Sequence, residues 1–213
     1  MEEQKIIVRG HRLEVWETTA DGIRRRVLRC YCGYGRNGFA LPSASGESPA
    51  SGKGQPGVPQ GELQSALPVP KGLPQKREGD GCTPVGVFPL EMAFGLAPNP
   101  GTALPWKDVT PSSFWSGDKE NYNTWQESPC KEGERLADYP VQYKYAAVIG
   151  YNTLEPRYGA GSAIFLHCYG PRKSWFQCRS SRTATAGCIS VPEDVMVRLL
   201  KVLRPGAIID IQG

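Results

Sequence analysis

The hydrophobic pattern of the chain is mostly that of β-strands, in short apolar or alternating segments separated by turn residues. The first two segments flank the turn-like Gly10, and Asp21-Gly22 marks a tight hairpin into the third. We predict strands at residues 5–8, 13–18, 24–32, 83–88, 143–151, 162–167 and 207–211.

One segment, Pro192 to Leu203, has the period of an amphipathic helix. Pro192 suits the first turn, and Glu193 and Asp194 suit the positive end of the helix dipole. Pro205-Gly206 ends the helix, and the core-facing stripe consists of Val195, Met196, Leu199, Leu200 and Leu203. Many strands and one helix near the C-terminus predict a mainly β fold, a sandwich or open barrel with long loops.

Two stretches lack this regular pattern. Leu41 to Lys76 is rich in Pro, Gly and Ser, which predicts a long loop or partly disordered insertion within a single domain of residues 1–213. Residues 94–133 are rich in loops and carry three tryptophans. Aromatic side chains on loops can line a groove or cap the edge of a core, and the pattern leaves both open.

Composition and charge narrow the function classes. No apolar run approaches the length of a membrane span. The net charge of +4 is a mild, dispersed excess, which does not argue for nucleic acid but is compatible with an anionic polymer such as cell wall. The N-terminus is acidic where a signal peptide would be basic, so either the protein is cytoplasmic or an export segment has been removed.

The candidate chemistry lies between Ser162 and Val191, where a predicted strand ends in His167 and Cys188 follows Gly187. A free thiol is only a small fraction thiolate at neutral pH, so a cysteine used for acyl transfer needs an imidazole to take its proton. His167 is the candidate base. Gly187 leaves the backbone open to a substrate carbonyl, and the amides around Cys188 are candidate oxyanion donors.

The other cysteines admit more than one interpretation. Six of the seven remain if Cys188 is catalytic, and they form three disulfides in an oxidising compartment or remain buried thiols. A Cys168–Cys178 bond would close the loop between His167 and Cys188. A zinc site is the weaker alternative, because Cys30-x-Cys32 is tighter than usual zinc spacing. We therefore predict no metal and no cofactor, and assign His11 no role.

The ordered motifs resemble the L,D-transpeptidase (YkuD-type) family. His167, seventeen further residues and Thr185-Ala186-Gly187-Cys188-Ile189 are similar to its His…Ser/Thr-His-Gly-Cys signature, in the branch that reads T-A-G-C. Further similar stretches are KREGDGCTPVGVF, the Tyr122-Asn123 pair, YAAVIGYN and GSAIFLH. The resemblance covers roughly residues 28 to 211.

The resemblance implies a peptidoglycan enzyme. Cys188 would attack the bond between a diamino acid and D-alanine in a tetrapeptide stem, and an amine of a second stem would resolve the acyl-enzyme into a cross-link. His167 would serve as base and then acid, with Gly187 and Thr185 as oxyanion or supporting residues. Further candidate contacts to substrate are Tyr122, Asn123, Asn152, Arg182 and Ser190.

The sequence departs from the common family motif at two positions. Ala186 stands where a second histidine is usual, and Ser190 stands where an asparagine is usual. His167 would therefore act alone as the imidazole of the site. The alternatives to cross-linking are an L,D-carboxypeptidase that uses water as acceptor and an inactive cell-wall binding module. Each of these functions implies peptidoglycan stem peptides as partners and an extracytoplasmic location, in the periplasm or cell wall.

Overall fold

The computed structural model describes residues 3–42, 75–169 and 184–213. The strands in these ranges are β1 (Glu3–Arg9), β2 (Arg12–Thr18), β3 (Arg24–Tyr31), β4 (Phe39–Ala40), β5 (Thr83–Pro84), β6 (Gly86–Gly95), β7 (Trp106–Asp108), β8 (Phe114–Ser116), β9 (Trp125–Gln126), β10 (Gly133–Arg135), β11 (Ala146–Ile149), β12 (Phe165–Cys168), β13 (Ile189–Val191) and β14 (Ile208–Ile211). Helix α1 covers Glu193–Val202, and 3-10 turns cover Lys119–Asn121, Leu136–Asp138 and Gln142–Lys144.

A large mixed sheet forms the scaffold, with the strand order β13-β12-β11-β6-β14-β1-β2-β3 and β7 beside β6. The sheet curls so that the chain after β3 approaches β13. Beyond β3, Gly33 forms a bridge with Ser190 of β13, and Gly35 forms one with Thr185. The prediction of a mainly β fold, an open barrel or sandwich with one helix, is confirmed by this curled half-barrel.

The main hydrophobic core lies between α1 and one face of this sheet. Met196, Leu199 and Leu200 of the helix are fully buried in it, as the sequence stripe predicts. Alternation along β12 sends Leu166 and Cys168 into this core. Phe165 and His167 therefore point to the other face of the sheet, where the candidate site lies.

A smaller apolar cluster covers that other face. It includes Phe94, Trp115, Tyr143 and Phe165, and Cys188 lies among them. A three-stranded sheet of order β10-β8-β9 supplies Trp115. β8, β9 and the first residue of β10 lie within residues 94–133, which the sequence pattern presents as loops. Strands of two or three residues are too short to show an alternating pattern.

Two predicted strands are shorter than expected. Over residues 143–151 only Ala146–Ile149 is a strand, and Tyr143 lies in a 3-10 turn. Over residues 162–167 the strand begins at Phe165, because Ala163 has a φ of 52°, which interrupts the extended backbone. Both corrections place a non-extended residue directly beside the candidate site.

The predicted insertion leaves and re-enters the fold at one point. The Lys76 amide donates to the Leu41 carbonyl at 2.7 Å, and Leu41 and Gln75 form a bridge. Residues 43–74, which make up most of the insertion, lie outside the described ranges. In the described part of the chain, no helix is long and apolar enough to cross a membrane.

Cys82, Cys168 and Cys188 are buried cysteines with free thiols. The buried thiols of Cys32 and Cys168 donate to the backbone carbonyls of Gly10 and Tyr145, at 3.5 and 3.4 Å. The buried-thiol interpretation therefore fits these residues. Cys178, and with it the proposed Cys168–Cys178 bond, lies outside the described residues.

Replacing Leu199 by Ala should lower the free energy of unfolding by about 2–5 kcal/mol, since the side chain is fully buried between α1 and the sheet. Urea denaturation followed by circular dichroism measures this loss. Arg198→Ala is the matched control, because Arg198 is exposed on the same helix and should change stability by only about 0.5 kcal/mol or less. Equal losses in the two variants would contradict the assigned core face.

Candidate active site

The pairing of β12 with β13 places the two candidate catalytic residues. The strands are parallel, and His167 is in register with Ser190. Cys188 lies two residues before Ser190 and therefore shares its face of the sheet with His167. Both side chains are buried, with His167 7% and Cys188 8% exposed. Strand register thus places His167 and Cys188 on one face of the sheet.

The Cys188 sulfur lies between two backbone groups of the chain before β12. The Phe165 amide donates to Sγ at 3.3 Å, and the thiol donates to the Ala163 carbonyl at 3.1 Å. Burial, together with the charge of Glu134, raises the pKa of the Cys188 thiol to about 12. The resting cysteine is therefore a neutral thiol whose proton points at a carbonyl.

Hydrogen bonds from Thr185 and from the distant Thr83 hold the backbone at Gly187 and Cys188. The Thr185 hydroxyl donates to the Cys188 carbonyl at 2.6 Å and accepts the Gly187 amide at 3.1 Å. The buried Thr83 hydroxyl donates to the Gly187 carbonyl at 2.7 Å and accepts the Gly35 amide at 2.8 Å. These bonds fix the direction in which Cys188 enters the site.

Gly187 has a backbone conformation that few other residues adopt, with a φ of 155°. A Cβ at this position would lie 2.9 Å from the Cys82 carbonyl oxygen and 3.1 Å from Cδ1 of Ile164. Both the angle and the space therefore require glycine directly before Cys188.

His167 has a defined ring orientation. Its Nδ1 lies 2.6 Å from the Cys168 carbonyl oxygen, and since a carbonyl only accepts, Nδ1 carries a proton. Burial lowers the pKa of His167 to about 4. The imidazole is therefore neutral near pH 7, and its Nε2 has a lone pair that can accept a proton.

Two cavities meet at Cys188. The smaller, about 230 Å³, contains His167 and Ser190 in its wall, while the larger, about 500 Å³, contains Tyr122 and Gly187. Glu134, Ala186 and Cys188 line both. The thiol therefore stands where ligands on two sides can reach it. Together the two cavities form a groove. Trp115, from the tryptophan-containing stretch 94–133, lines the larger cavity and also packs on Phe165, with 4.9 Å between the ring centroids.

The sequence reasoning missed Glu134 and Tyr143. The Tyr143 hydroxyl donates to the Glu134 carboxylate, and the Tyr143 ring packs edge-on against His167 with centroids 5.9 Å apart. Burial raises the pKa of Glu134, and burial with the Glu134 charge raises that of Tyr143. No local sequence pattern marks Glu134, because its burial comes from packing between distant segments.

Lys76 and Glu78, within the family-like stretch KREGDG, were also not singled out. The Lys76 ammonium donates to Asp80 at 2.6 Å, at the wall of the larger cavity. Glu78 accepts hydrogen bonds from Tyr122 and from Ser162. Burial and the hydrogen bond to Glu78 raise the pKa of Tyr122, so its hydroxyl stays neutral.

Two of the other residues predicted to contact substrate, Asn123 and Asn152, use their side chains for hydrogen bonds within the protein. Asn123 is buried behind the cavity wall, where its side-chain oxygen accepts from Trp115 at 2.8 Å and from the Ala163 amide at 3.0 Å. Asn152 likewise bonds backbone groups of Arg157 and Gly161. Their contacts are those of residues that support the site. Arg182 lies outside the described residues.

Within the described ranges, no three His, Cys, Asp or Glu side chains converge as a metal site. Cys32 instead bonds a carbonyl, as above, and His11 Nδ1 donates to the Cys32 carbonyl at 2.9 Å. Cys188 and the neutral imidazole of His167 line the same smaller cavity.

Fold and site together define a mainly β domain with a cysteine–histidine centre in a groove. A model of the YkuD family, the L,D-transpeptidase catalytic domain, matches residues 9–211, and the chain belongs to this family. The match spans nearly the whole chain and includes every candidate site residue. It confirms the resemblance carried by the sequence motifs.

Comparison with individual proteins adds distant similarities. No curated protein matches the chain significantly. Two crystal structures of the helical cell shape determining protein Pgp2 from Campylobacter jejuni match 99% of this chain and 47% of their own. A point mutant is 15% identical with a TM-score of 0.47, and the other structure is 13% identical with a TM-score of 0.43. The chain thus spans less than half the length of these proteins, and similarity this distant carries no functional argument.

Gly187→Ala should both destabilise the fold and slow modification of Cys188. The added Cβ meets the Cys82 carbonyl in a conformation that alanine rarely adopts, a combined cost of about 2–4 kcal/mol. Urea denaturation and the rate of Cys188 alkylation by iodoacetamide measure the two effects.

Gly206→Ala is the control for Gly187→Ala. Gly206 also has a positive φ, of 87°, but a Cβ there meets no atom within 4 Å. It should lose only about 1 kcal/mol and leave alkylation of Cys188 unchanged. If the two variants behave alike, the close contact with Cys82 does not constrain the site.

Proposed function

We propose that this domain is a peptidoglycan L,D-transpeptidase in which Cys188 is the nucleophile and His167 is the general base. One observation carries the proposal: the thiol and the imidazole project from paired strands into a common cavity. Membership of a family that acts on peptidoglycan supports the substrate class. An extracytoplasmic location, where peptidoglycan lies, belongs to the same proposal.

The first half-reaction begins from two neutral groups. The Cys188 proton turns from the Ala163 carbonyl to Nε2 of His167 as sulfur attacks the carbonyl between the diamino acid and D-alanine. The carbonyl oxygen becomes an oxyanion. Collapse breaks the C–N bond, His167 returns the proton to the leaving amine, and D-alanine departs from a thioester on Cys188.

The second half-reaction resolves the thioester. An amine of a second stem attacks the acyl carbon, His167 takes a proton from that amine, and the C–S bond breaks. The thiolate then recovers a proton from His167. With water in place of the amine, the same steps give a tripeptide stem and carboxypeptidase activity. The two cavities that meet at Cys188 would hold the acyl donor and the acceptor.

The oxyanion donor follows from the resting hydrogen bonds. The Gly187 amide already donates to Thr185 Oγ1 at 3.1 Å, so the Cys188 amide is the stronger candidate. Gly187 and Thr185 then act by holding the backbone that presents this amide. Ala186, where the common motif has histidine, lines both cavities and leaves His167 as the imidazole at the thiol.

Incubation with tetrapeptide muropeptides tests the proposal directly. The wild-type domain should release D-alanine and form cross-linked dimers, or tripeptides if water is the acceptor. Cys188→Ala should abolish release, and His167→Gln should slow it by about two or more orders of magnitude. Chromatography with mass spectrometry identifies the products and the acyl-enzyme.

Three outcomes of this experiment would overturn the assignment. Release of D-alanine by folded Cys188→Ala would exclude this thiol as the nucleophile. Near-normal acylation of His167→Gln would mean that another group is the base. Binding of stem peptides without any release by the wild type would indicate a binding module.

The protonation of His167 gives a pH prediction. Because burial lowers its pKa to about 4, the imidazole should stay neutral as the pH falls through 6.5 and gain its proton only near pH 4. The base form is therefore retained through this range, and acylation should show no loss near pH 6.5. Proton–nitrogen NMR of the imidazoles measures the titration, with His11→Gln to assign the two histidines. A His167 midpoint near 6.5 would contradict the buried, neutral base.

A further inference from the structure

Glu134 has a position that the reaction steps above leave unexplained. It lies on β10, paired with Trp115 of β8, and is half-buried. It lines both cavities together with Cys188, and its charge contributes to the raised pKa of that thiol. A carboxylate that lines the same cavities as a nucleophilic sulfur opposes formation of the thiolate. A purely structural role does not explain why a charged residue stands at this position.

In the part of the chain that the structure describes, Glu134 has one side-chain hydrogen bond and no positively charged partner. The Tyr143 hydroxyl donates to one carboxylate oxygen. Among the described residues, no lysine, arginine or histidine forms an ion pair with it, whereas Lys107 pairs with Glu127 at 2.9 Å and Lys144 with Glu193 at 2.6 Å. A half-buried carboxylate with one neutral donor is suited to accept a cation from a ligand.

The surrounding charges favour the same kind of ligand. Glu78 and Glu132 also line the larger cavity, while the ammonium of Lys76, at its wall, is engaged by Asp80 and by the Arg77 carbonyl at 2.8 Å. The described residues of this cavity wall are thus negative on balance, which favours a positively charged substrate group.

We propose that Glu134 is a specificity residue that binds the free side-chain ammonium group of the diamino acid in the acyl-donor stem. This inference rests on the proposed function, which supplies an amino acid with one acylated and one free amine. Bound there, the ammonium fixes the stem beside Cys188. It also neutralises the carboxylate that disfavours the thiolate, so the correct donor activates the nucleophile that it meets.

Binding of matched peptides to the Cys188→Ala domain tests the proposal without turnover. The probes are one tetrapeptide stem with a free side-chain amine and the same stem with that amine acetylated, compared by calorimetry. The free amine should bind about tenfold to a hundredfold more tightly, as for a charge-assisted hydrogen bond in a partly buried site. Adding Glu134→Gln should remove this preference, because the amide keeps an acceptor for Tyr143 but has no charge.

Glu132→Gln distinguishes a specific site from a general negative field. Glu132 lines the larger cavity but is exposed, and its carboxylate accepts a hydrogen bond from the Tyr158 hydroxyl at 3.4 Å. Loss of the preference only with Glu134→Gln supports the proposal. Equal binding of the two peptides by the parent domain, or an equal loss with Glu132→Gln, overturns it.

Release of D-alanine by the domain with Cys188 intact shows whether Glu134 acts on the acyl donor or on the acyl acceptor. Glu134→Gln should raise KM for the free-amine stem while leaving that for the acetylated stem unchanged. A preference confined to cross-linking, and absent from D-alanine release, would overturn the donor assignment. If neither peptide binds or reacts, the proposed function itself fails, whereas binding or release without discrimination refutes only the role of Glu134.

Discussion

The parallel pairing of β12 with β13 is the constraint on which the site depends. Strand register puts His167 beside Ser190, and alternation then puts Cys188 on the same face as His167. A slip of one residue would turn Cys188 into the main core and Ile189 into the cavity. The curl of the sheet protects this register, because Gly33 and Gly35 bridge β13 and Thr185 from the far end of the sheet.

Burial determines the protonation state of the centre. A thiol and an imidazole in water have pKa values that lie close together. Here burial raises the pKa of Cys188 to about 12 and lowers the pKa of His167 to about 4. The site therefore rests as a neutral pair, and under the proposed mechanism its proton moves only as sulfur attacks a carbonyl. Under the proposed function, a substrate that enters the groove and brings its own charge changes this balance. Under this proposal, the reactivity of the Cys188 thiol depends on the ligand that occupies the groove.

The wall of the groove comes from a part of the chain with little regular structure. Short strands β8 and β10 carry Trp115 and Glu134 over the outer face of the large sheet, and the 3-10 turn at Gln142–Lys144 brings Tyr143 beside His167. Asn123 ties this layer to the chain before β12 through Trp115 and Ala163. The carbonyl that accepts the thiol proton belongs to that same Ala163, so the small sheet and the nucleophile share one hydrogen-bond network.

The sequence by itself determined the mainly β class, helix α1 and the pairing of Cys188 with His167 as candidate groups. These follow from local signals: alternation of apolar residues, a helical stripe, and a glycine–cysteine pair near a rare histidine. Only the tertiary structure decided which face of the sheet the site occupies. It also decided that Asn123 and Asn152 form hydrogen bonds within the protein, and that Glu134 lines both cavities together with Cys188. The physical reason is that burial and charge at a point depend on segments far apart in the chain. Glu134 and Cys188 are separated by more than fifty residues, and no periodicity within either segment records their approach.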